Sequence, residues 1–294
     1  MGNTLNLNGI YTPVVTPFTA DGSAVDKQSL ERLVEAQLEA NVAGIVACGT
    51  TGESVTLTDS EYLEVVALVR RVTMGRVPCV AGISQSSTAQ AVAVARAVEE
   101  LGCDGLLVAS PPYNKPSQAG LQAHYTAIHA AVGLPIIGYN VPGRAGVSLA
   151  PATLGALSRS GVIIGLKDAS GSIDGLADTM IAVDKSCQVV AGDDSLTLAV
   201  LAYGGVGAIS ASANVMPKEL VELVRCYQSG DTTGATRTQL AMLPRIRALF
   251  IESNPVPVKA VLAMQGVISH PKVRLPLAPL TESSNLAVRQ AFGL

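Results

Sequence analysis

The chain has 294 residues, 48% of them hydrophobic and 15% charged, with a net charge of −3. That length and composition suit one large core, or one domain with an appendage, and argue against disorder. There is no run of basic residues, so nucleic acid and anionic membrane surfaces are poor partners, and no uninterrupted apolar stretch is long enough to span a bilayer.

The five cysteines, Cys48, Cys79, Cys103, Cys187 and Cys226, are odd in number and show no metal-ligand spacing. Buried reduced thiols in a cytoplasmic protein explain them best. The start, Met1-Gly2-Asn3-Thr4-Leu5-Asn6, lacks the basic and apolar regions of a signal peptide, so no leader is expected there. Aromatic residues are scarce while Ala, Val, Gly and Leu abound, as in a barrel of small and branched side chains.

Short apolar runs bounded by Gly, Pro or Asn recur along the chain, with helical patterns between them. The first, 10–15, leads into the stiff turn Thr16-Pro17-Phe18, and Leu30, Leu33, Val34 and Leu38 then make a helical stripe. The second run, 44–47, passes into Gly49-Thr50-Thr51-Gly52-Glu53-Ser54. Two threonines between glycines offer backbone N–H groups and hydroxyl donors, a cradle for a small carboxylate, although such a sequence also serves as a plain turn. Thr58-Asp59-Ser60-Glu61 is a capping box ahead of Leu63, Val66 and Val69. Run 78–81 follows, then a helix with Val92, Ala95 and Val98 on one face.

Run 105–109 ends in Ser110-Pro111-Pro112-Tyr113-Asn114-Lys115-Pro116. Its prolines predict a rigidly projected Tyr113, equally readable as a surface tyrosine on a stiff loop. Run 135–139 ends in Tyr139-Asn140-Val141-Pro142-Gly143-Arg144. A strand-end phenol can pass protons to a neighbouring carbonyl, and an arginine beyond a Pro-Gly turn suits a carboxylate. A core-capping phenol and a surface arginine are the alternative. Run 162–167 closes on Lys167, followed by Asp168-Ala169-Ser170-Gly171.

A lysine at the end of an apolar strand is an unusual placement. Burial favours the neutral amine, a nucleophile towards carbonyl carbon. Lowering a lysine from ~10.4 towards 7 takes roughly 4 kcal/mol, which only a structured, partly dry site supplies. Taken alone, Lys167 can equally be a strand-end lysine reaching into solvent. Run 188–191 leads to Gly192-Asp193-Asp194, and run 207–210 to Ala211-Ser212. The adjacent acids diverge in direction, so loop and cap hydrogen bonding is expected of them rather than metal binding. His124 and His129 fall on different faces of one helix and read as helix-surface residues, and none of the three histidines, His270 included, lies at a strand end, so no metal site is expected.

Most of the eight runs are continuous rather than alternating, as in strands covered on both faces. Eight strand-helix units predict an α/β fold, a closed (β/α)8 TIM barrel. A doubly wound sheet is the structural alternative, but no Gly-x-Gly-x-x-Gly follows the first strand, which also removes a nucleotide-dependent dehydrogenase. Pro217 opens a helix through Leu220, Val221 and Val224, closing a catalytic barrel over 1–224. A C-terminal helical extension, 225–294, follows: a long helix over 232–250 containing Pro244, a break at Ser253-Asn254-Pro255-Val256-Pro257, then shorter helices.

Over essentially its whole length the chain resembles the pyruvate-dependent class I aldolases, the family that includes dihydrodipicolinate synthase and N-acetylneuraminate lyase. Gly49-Thr50-Thr51-Gly52-Glu53, Tyr139-Asn140-Val141-Pro142 and the strand-end Lys167 match in order and spacing. The resemblance implies a Schiff base between Lys167 and pyruvate, with Tyr139 passing protons through Thr50 to Tyr113 of an adjacent subunit. It further implies that Thr51 and the backbone at Ile209 hold the pyruvate carboxylate, and Arg144 the carboxylate of the second substrate. The Thr50-Thr51 pair and Arg144 point to the synthase branch, whose second substrate is L-aspartate 4-semialdehyde and whose product feeds lysine and diaminopimelate synthesis.

The resemblance requires no cofactor and implies a homotetramer, a dimer of dimers. The other branch, a sugar-acid lyase such as N-acetylneuraminate lyase or a keto-deoxy sugar acid aldolase or dehydratase, is the alternative. A polyol wants hydroxyl donors where a short carboxylate wants arginine. A non-catalytic binding barrel has no support, since Lys167, Tyr139, Thr50 and Tyr113 are all present. Lysine-regulated members carry other residues where this chain has Asp59, Tyr62, Pro112-Tyr113 and Gln90, which predicts weak or absent inhibition by lysine.

Overall fold

The computed structural model describes residues 5–294; residues 1–4, part of the segment read above for a leader, lie outside the described residues. Strands β1 (Gly9–Pro13), β2 (Gly44–Ala47), β3 (Cys79–Ile83), β4 (Gly105–Ala109), β5 (Ile136–Asn140), β6 (Gly165–Asp168), β7 (Gln188–Ala191) and β8 (Gly207–Ile209) pair in sequence order. All the pairings are parallel, and β8 closes on β1 with Gly9 opposite Gly207. Closure rules out the open sheet.

Two apolar layers follow from the alternation of strand side chains. Tyr11, Val46, Val80, Leu107, Ile137, Val190 and Ile209 fill the barrel interior. The opposite faces pack against the helices: α1 (Lys27–Glu39), α2 (Asp59–Thr73), α3 (Thr88–Glu100), α4 (Gln118–Ala131), the short α5 (Pro142–Ala145), α6 (Pro151–Arg159), α7 (Ile173–Ala182), α8 (Thr197–Ala202) and α9 (Pro217–Gln228). The capping box forms as expected: Thr58 Oγ1 accepts from the Glu61 amide at 3.2 Å and Glu61 Oε2 from the Thr58 amide at 3.0 Å. Beyond the barrel lie α10 (Thr232–Leu249), which runs through Pro244, α11 (Val256–Met264) and α12 (Glu282–Phe292).

The amino-terminal end of the barrel is plugged. A Cβ at Gly44 would stand 2.1 Å from the Tyr11 ring, and one at Gly165 would stand 2.5 Å from Leu7. These strand-start glycines make room for bulk brought by β1 and the segment before it. Leu5 and Leu7 are buried there, and the Gln188 side chain accepts from the Leu7 amide at 2.7 Å and donates to the Leu5 carbonyl at 2.9 Å. With that end closed, the interior opens only at the carboxyl ends of the strands.

One sequence expectation is corrected. His124 is buried rather than on the helix surface, with Nδ1 2.9 Å from Thr88 Oγ1, because its face of α4 packs against α3; burial holds its pKa below the ordinary histidine range. The five cysteines are free, and all but Cys187 are buried. Burial pushes the Cys187 thiol up to about 12. No helix among the described residues is long and apolar enough to cross a membrane.

Candidate active site

Tyr139 and Lys167 are register partners at the carboxyl ends of β5 and β6. Lys167 is 6% exposed and Tyr139 8%, and Lys167 Nζ stands 4.4 Å from the Tyr139 ring centroid. The lysine therefore turns into the barrel and does not reach solvent. Its stem has room because residue 192 is glycine: a Cβ there would sit 2.9 Å from Lys167 Cγ. The acids nearby hold loops, as the sequence led one to expect of Asp193 and Asp194. Asp168 accepts from the amide and hydroxyl of Ser170, both at 3.1 Å. Asp193 accepts from the Ser195 amide at 3.1 Å. Asp194 accepts from the Ser212 amide at 2.8 Å and its hydroxyl at 2.5 Å. Burial raises the Asp194 carboxyl, against the hydrogen bonds from Ser212 and the pull of the Lys167 charge.

The turn after β2 has an unusual backbone. Cys48 and Glu53, neither a glycine, both take φ 52. The Gly52 and Glu53 amides bond back to the carbonyls of Gly49 at 3.0 Å and Thr50 at 3.1 Å, and Thr16 Oγ1 donates to the Gly52 carbonyl at 2.7 Å. These two N–H groups are thus used within the turn, leaving the hydroxyls and the earlier amides to face a ligand. Thr51 is buried, and its Oγ1 accepts from Asn254 Nδ2 at 2.9 Å.

Arg144 projects from α5, where Pro142 at the first turn presets the helix and Gly146 ends it at φ 75. Its Nη2 donates to the Asn254 carbonyl at 3.2 Å. A cavity of about 240 Å³ takes Thr50, Ser110, Arg144 and Asn254 into its walls, while Lys167 and Tyr139 lie outside them, in the barrel interior. Ser110 Oγ and Asn254 Oδ1 are buried with no protein partner. An unmet buried polar atom costs about 1–3 kcal/mol, so each is suited to a ligand group. Sequence reasoning took Asn254 only as a helix breaker and gave Ser110 no role; an asparagine ahead of proline carried no signal of what it would face.

Ile209 ends β8, opposite Tyr11 on β1. The structure does not bring Tyr113 into this chain's own cavity. It is 91% exposed, with φ 76 on the loop after β4.

A closed parallel barrel with a buried lysine and a phenol at adjacent strand ends defines an enzyme of the class I aldolase type. The sequence model of the Dihydrodipicolinate synthetase family matches residues 6–293, and the chain belongs to that family. It is 43% identical over 289 residues to a 4-hydroxy-tetrahydrodipicolinate synthase of Pelobacter propionicus, covering 97% of this chain and 99% of the relative. With the synthase of Citrifermentans bemidjiense the identity is 46% over 279 residues, 95% of each chain. Among solved structures, the Methylacidiphilum fumariolicum SolV synthase superposes with TM-score 0.95 at 39% identity, covering 98% of this chain and 95% of that one. A dihydrodipicolinate synthase of Acinetobacter baumannii, solved in complex with pyruvate, gives TM-score 0.94 at 39% identity with 98% of both chains covered.

Proposed function

We propose that the chain condenses pyruvate with L-aspartate 4-semialdehyde through a Schiff base on Lys167, giving 4-hydroxy-tetrahydrodipicolinate for lysine synthesis. The observation that carries this reading is Lys167 Nζ buried against the Tyr139 ring in the barrel interior, beside a cavity whose walls include Thr50 and Arg144. The Lys167 amine attacks the keto carbon of pyruvate, and loss of water leaves an iminium. A methyl proton departs, the electron pair moving into the iminium to form an enamine. The enamine carbon attacks the aldehyde, which takes up a proton as the new carbon–carbon bond forms. The substrate's own amine then displaces Lys167 and closes the ring.

Tyr139 serves as proton donor and acceptor in these steps, linked through Thr50 to Tyr113 of a neighbouring subunit. The strained, solvent-facing Tyr113 suits a residue completed by a partner. Thr51 Oγ1 accepts from Asn254, which leaves its own proton free to donate to the pyruvate carboxylate beside the backbone at Ile209. Arg144 takes the carboxylate of the semialdehyde by its planar fork. No metal or organic cofactor enters the scheme. The working assembly is a homotetramer, a dimer of dimers, in the cytoplasm.

Borohydride added with pyruvate reduces the iminium to a stable amine. Mass spectrometry of the digested protein is expected to place the adduct on Lys167. Turnover without any adduct at that residue would refute the mechanism.

A further inference from the structure

We infer that Lys259, on α11 of the C-terminal region, is a positioning residue for the pyruvate cradle: its ammonium grips Glu53 and holds the 49–53 turn in the conformation that presents Thr50 and Thr51. The inference rests on the reading of that turn as the pyruvate carboxylate site.

Lys259 is fully buried, and its Nζ pairs with Glu53 Oε1. It also donates to the Lys272 carbonyl at 2.8 Å and stands 4.0 Å from the Phe18 ring centroid. Glu53 Oε2 accepts from the Arg274 amide at 3.1 Å, while the Arg274 guanidinium covers the same Phe18 ring at 4.3 Å. Every one of these anchors except Phe18 comes from residues 259–274, far along the chain from the turn.

A buried ion pair is a weak source of net stability, since desolvating both charges offsets most of their attraction. What this pair accomplishes is geometric. Glu53 is a non-glycine residue at φ 52, and Cys48 at the other end of the turn has the same φ. Such backbone is costly and persists only where its surroundings over-determine it. Thr16 holds the Gly52 carbonyl from β1's side, and the side chain of Glu53 is gripped from the C-terminal region, by Lys259 and the Arg274 amide together. Asn254, just before α11, adds a second tie from the same region through Thr51 Oγ1. Positioning, not chemistry, is the role: Lys259 is held by Glu53 and by backbone, away from the cavity walls.

The single change Lys259→Met strands a buried carboxylate and can prevent folding. The decisive variant is therefore the double change Glu53→Gln with Lys259→Met, which removes both charges and keeps the volume. Glu219→Gln is the control, because it breaks the Arg245 ion pair between α9 and α10 without touching Glu53 or its anchors. The readouts are the pyruvate concentration giving half-maximal borohydride trapping, pyruvate KM, kcat and Tm.

The double variant is expected to melt near the wild type, to need about tenfold more pyruvate for half-trapping, and to lose less in kcat than in KM. Glu219→Gln is expected to leave pyruvate dependence unchanged. Wild-type pyruvate dependence in a folded double variant would overturn the inference while leaving the Schiff base intact. Failure of the wild type to form an adduct at Lys167 would overturn the Schiff-base reading and this inference with it.

Discussion

Two lysines in this chain share one sequence signal and do different things. Lys167 closes the apolar run 162–167, and Lys259 is the lone cation in the apolar helix Val256–Met264; both are buried. What separates them is pairing. Lys259 has a carboxylate and a carbonyl against its Nζ, and burial draws it down to about 8 against the pull of Glu53. Lys167 faces an aromatic ring at the mouth, with no ion pair among the described residues. The lysine without a carboxylate partner is the one whose Nζ is free to meet a substrate carbonyl.

The same scale governs regulation. Asp59, Gln85 and Gln90 line a second cavity of about 360 Å³, in which Asp59 is the only carboxylate, while Tyr62 commits its hydroxyl to the Gly82 carbonyl at 2.9 Å. Free lysine carries two ammonium groups, and one carboxylate satisfies one of them. A lysine titration of the activity is therefore expected to show half-inhibition only at millimolar concentrations or above; clear inhibition at micromolar lysine would sink this.

Between elements, one tie with a pH-dependent contribution joins the C-terminal region to α2. Arg274 donates two hydrogen bonds to Glu61, at 2.7 and 2.6 Å, and these hold the Glu61 carboxyl down at about 2 from an ordinary 4.5. A carboxyl depressed in the folded state contributes stability in full above its unfolded pKa. That contribution fades as pH falls from about 4.5 towards 2, where the folded chain must take up the proton too. The shift corresponds to about 3 kcal/mol, and solvent screening reduces this to about 1–2 kcal/mol. Glu61→Gln should accordingly lower Tm at pH 7 and narrow its gap from the wild type near pH 2.5. An equal loss at both pH values would count against the linkage. The capping box at Thr58–Glu61 was legible from four consecutive residues; the Arg274 partner, 213 positions away, was not.

At the scale of the whole molecule, the chain folds a barrel with one open end and leaves Tyr113 outside its own mouth. If Tyr113 completes a neighbour's site, subunits carrying Tyr113→Phe and subunits carrying Lys167→Ala should rescue one another. A purified mixed assembly would then contain active sites with Lys167 from one chain and Tyr113 from the other. Random 1:1 pairing is expected to recover roughly a quarter of wild-type turnover. Activity no greater than the sum of the separate variants would show that Tyr113 acts within its own chain, or not at all.

The sequence by itself determined the barrel and the family, because these depend on local period and on short motifs. Continuous apolar runs mark strands covered on both faces, and eight of them with helices between allow few architectures. Lys167, Tyr139 and the Thr50-Thr51 turn were legible for that reason. Tertiary structure alone decided that Lys167 turns inward past Gly192, that His124 is buried, and that Asn254 bonds Thr51 and Arg144 together. It alone paired Lys259 with Glu53. Those contacts join residues far apart in the chain, and whether a buried polar group is paired depends on what the fold sets against it.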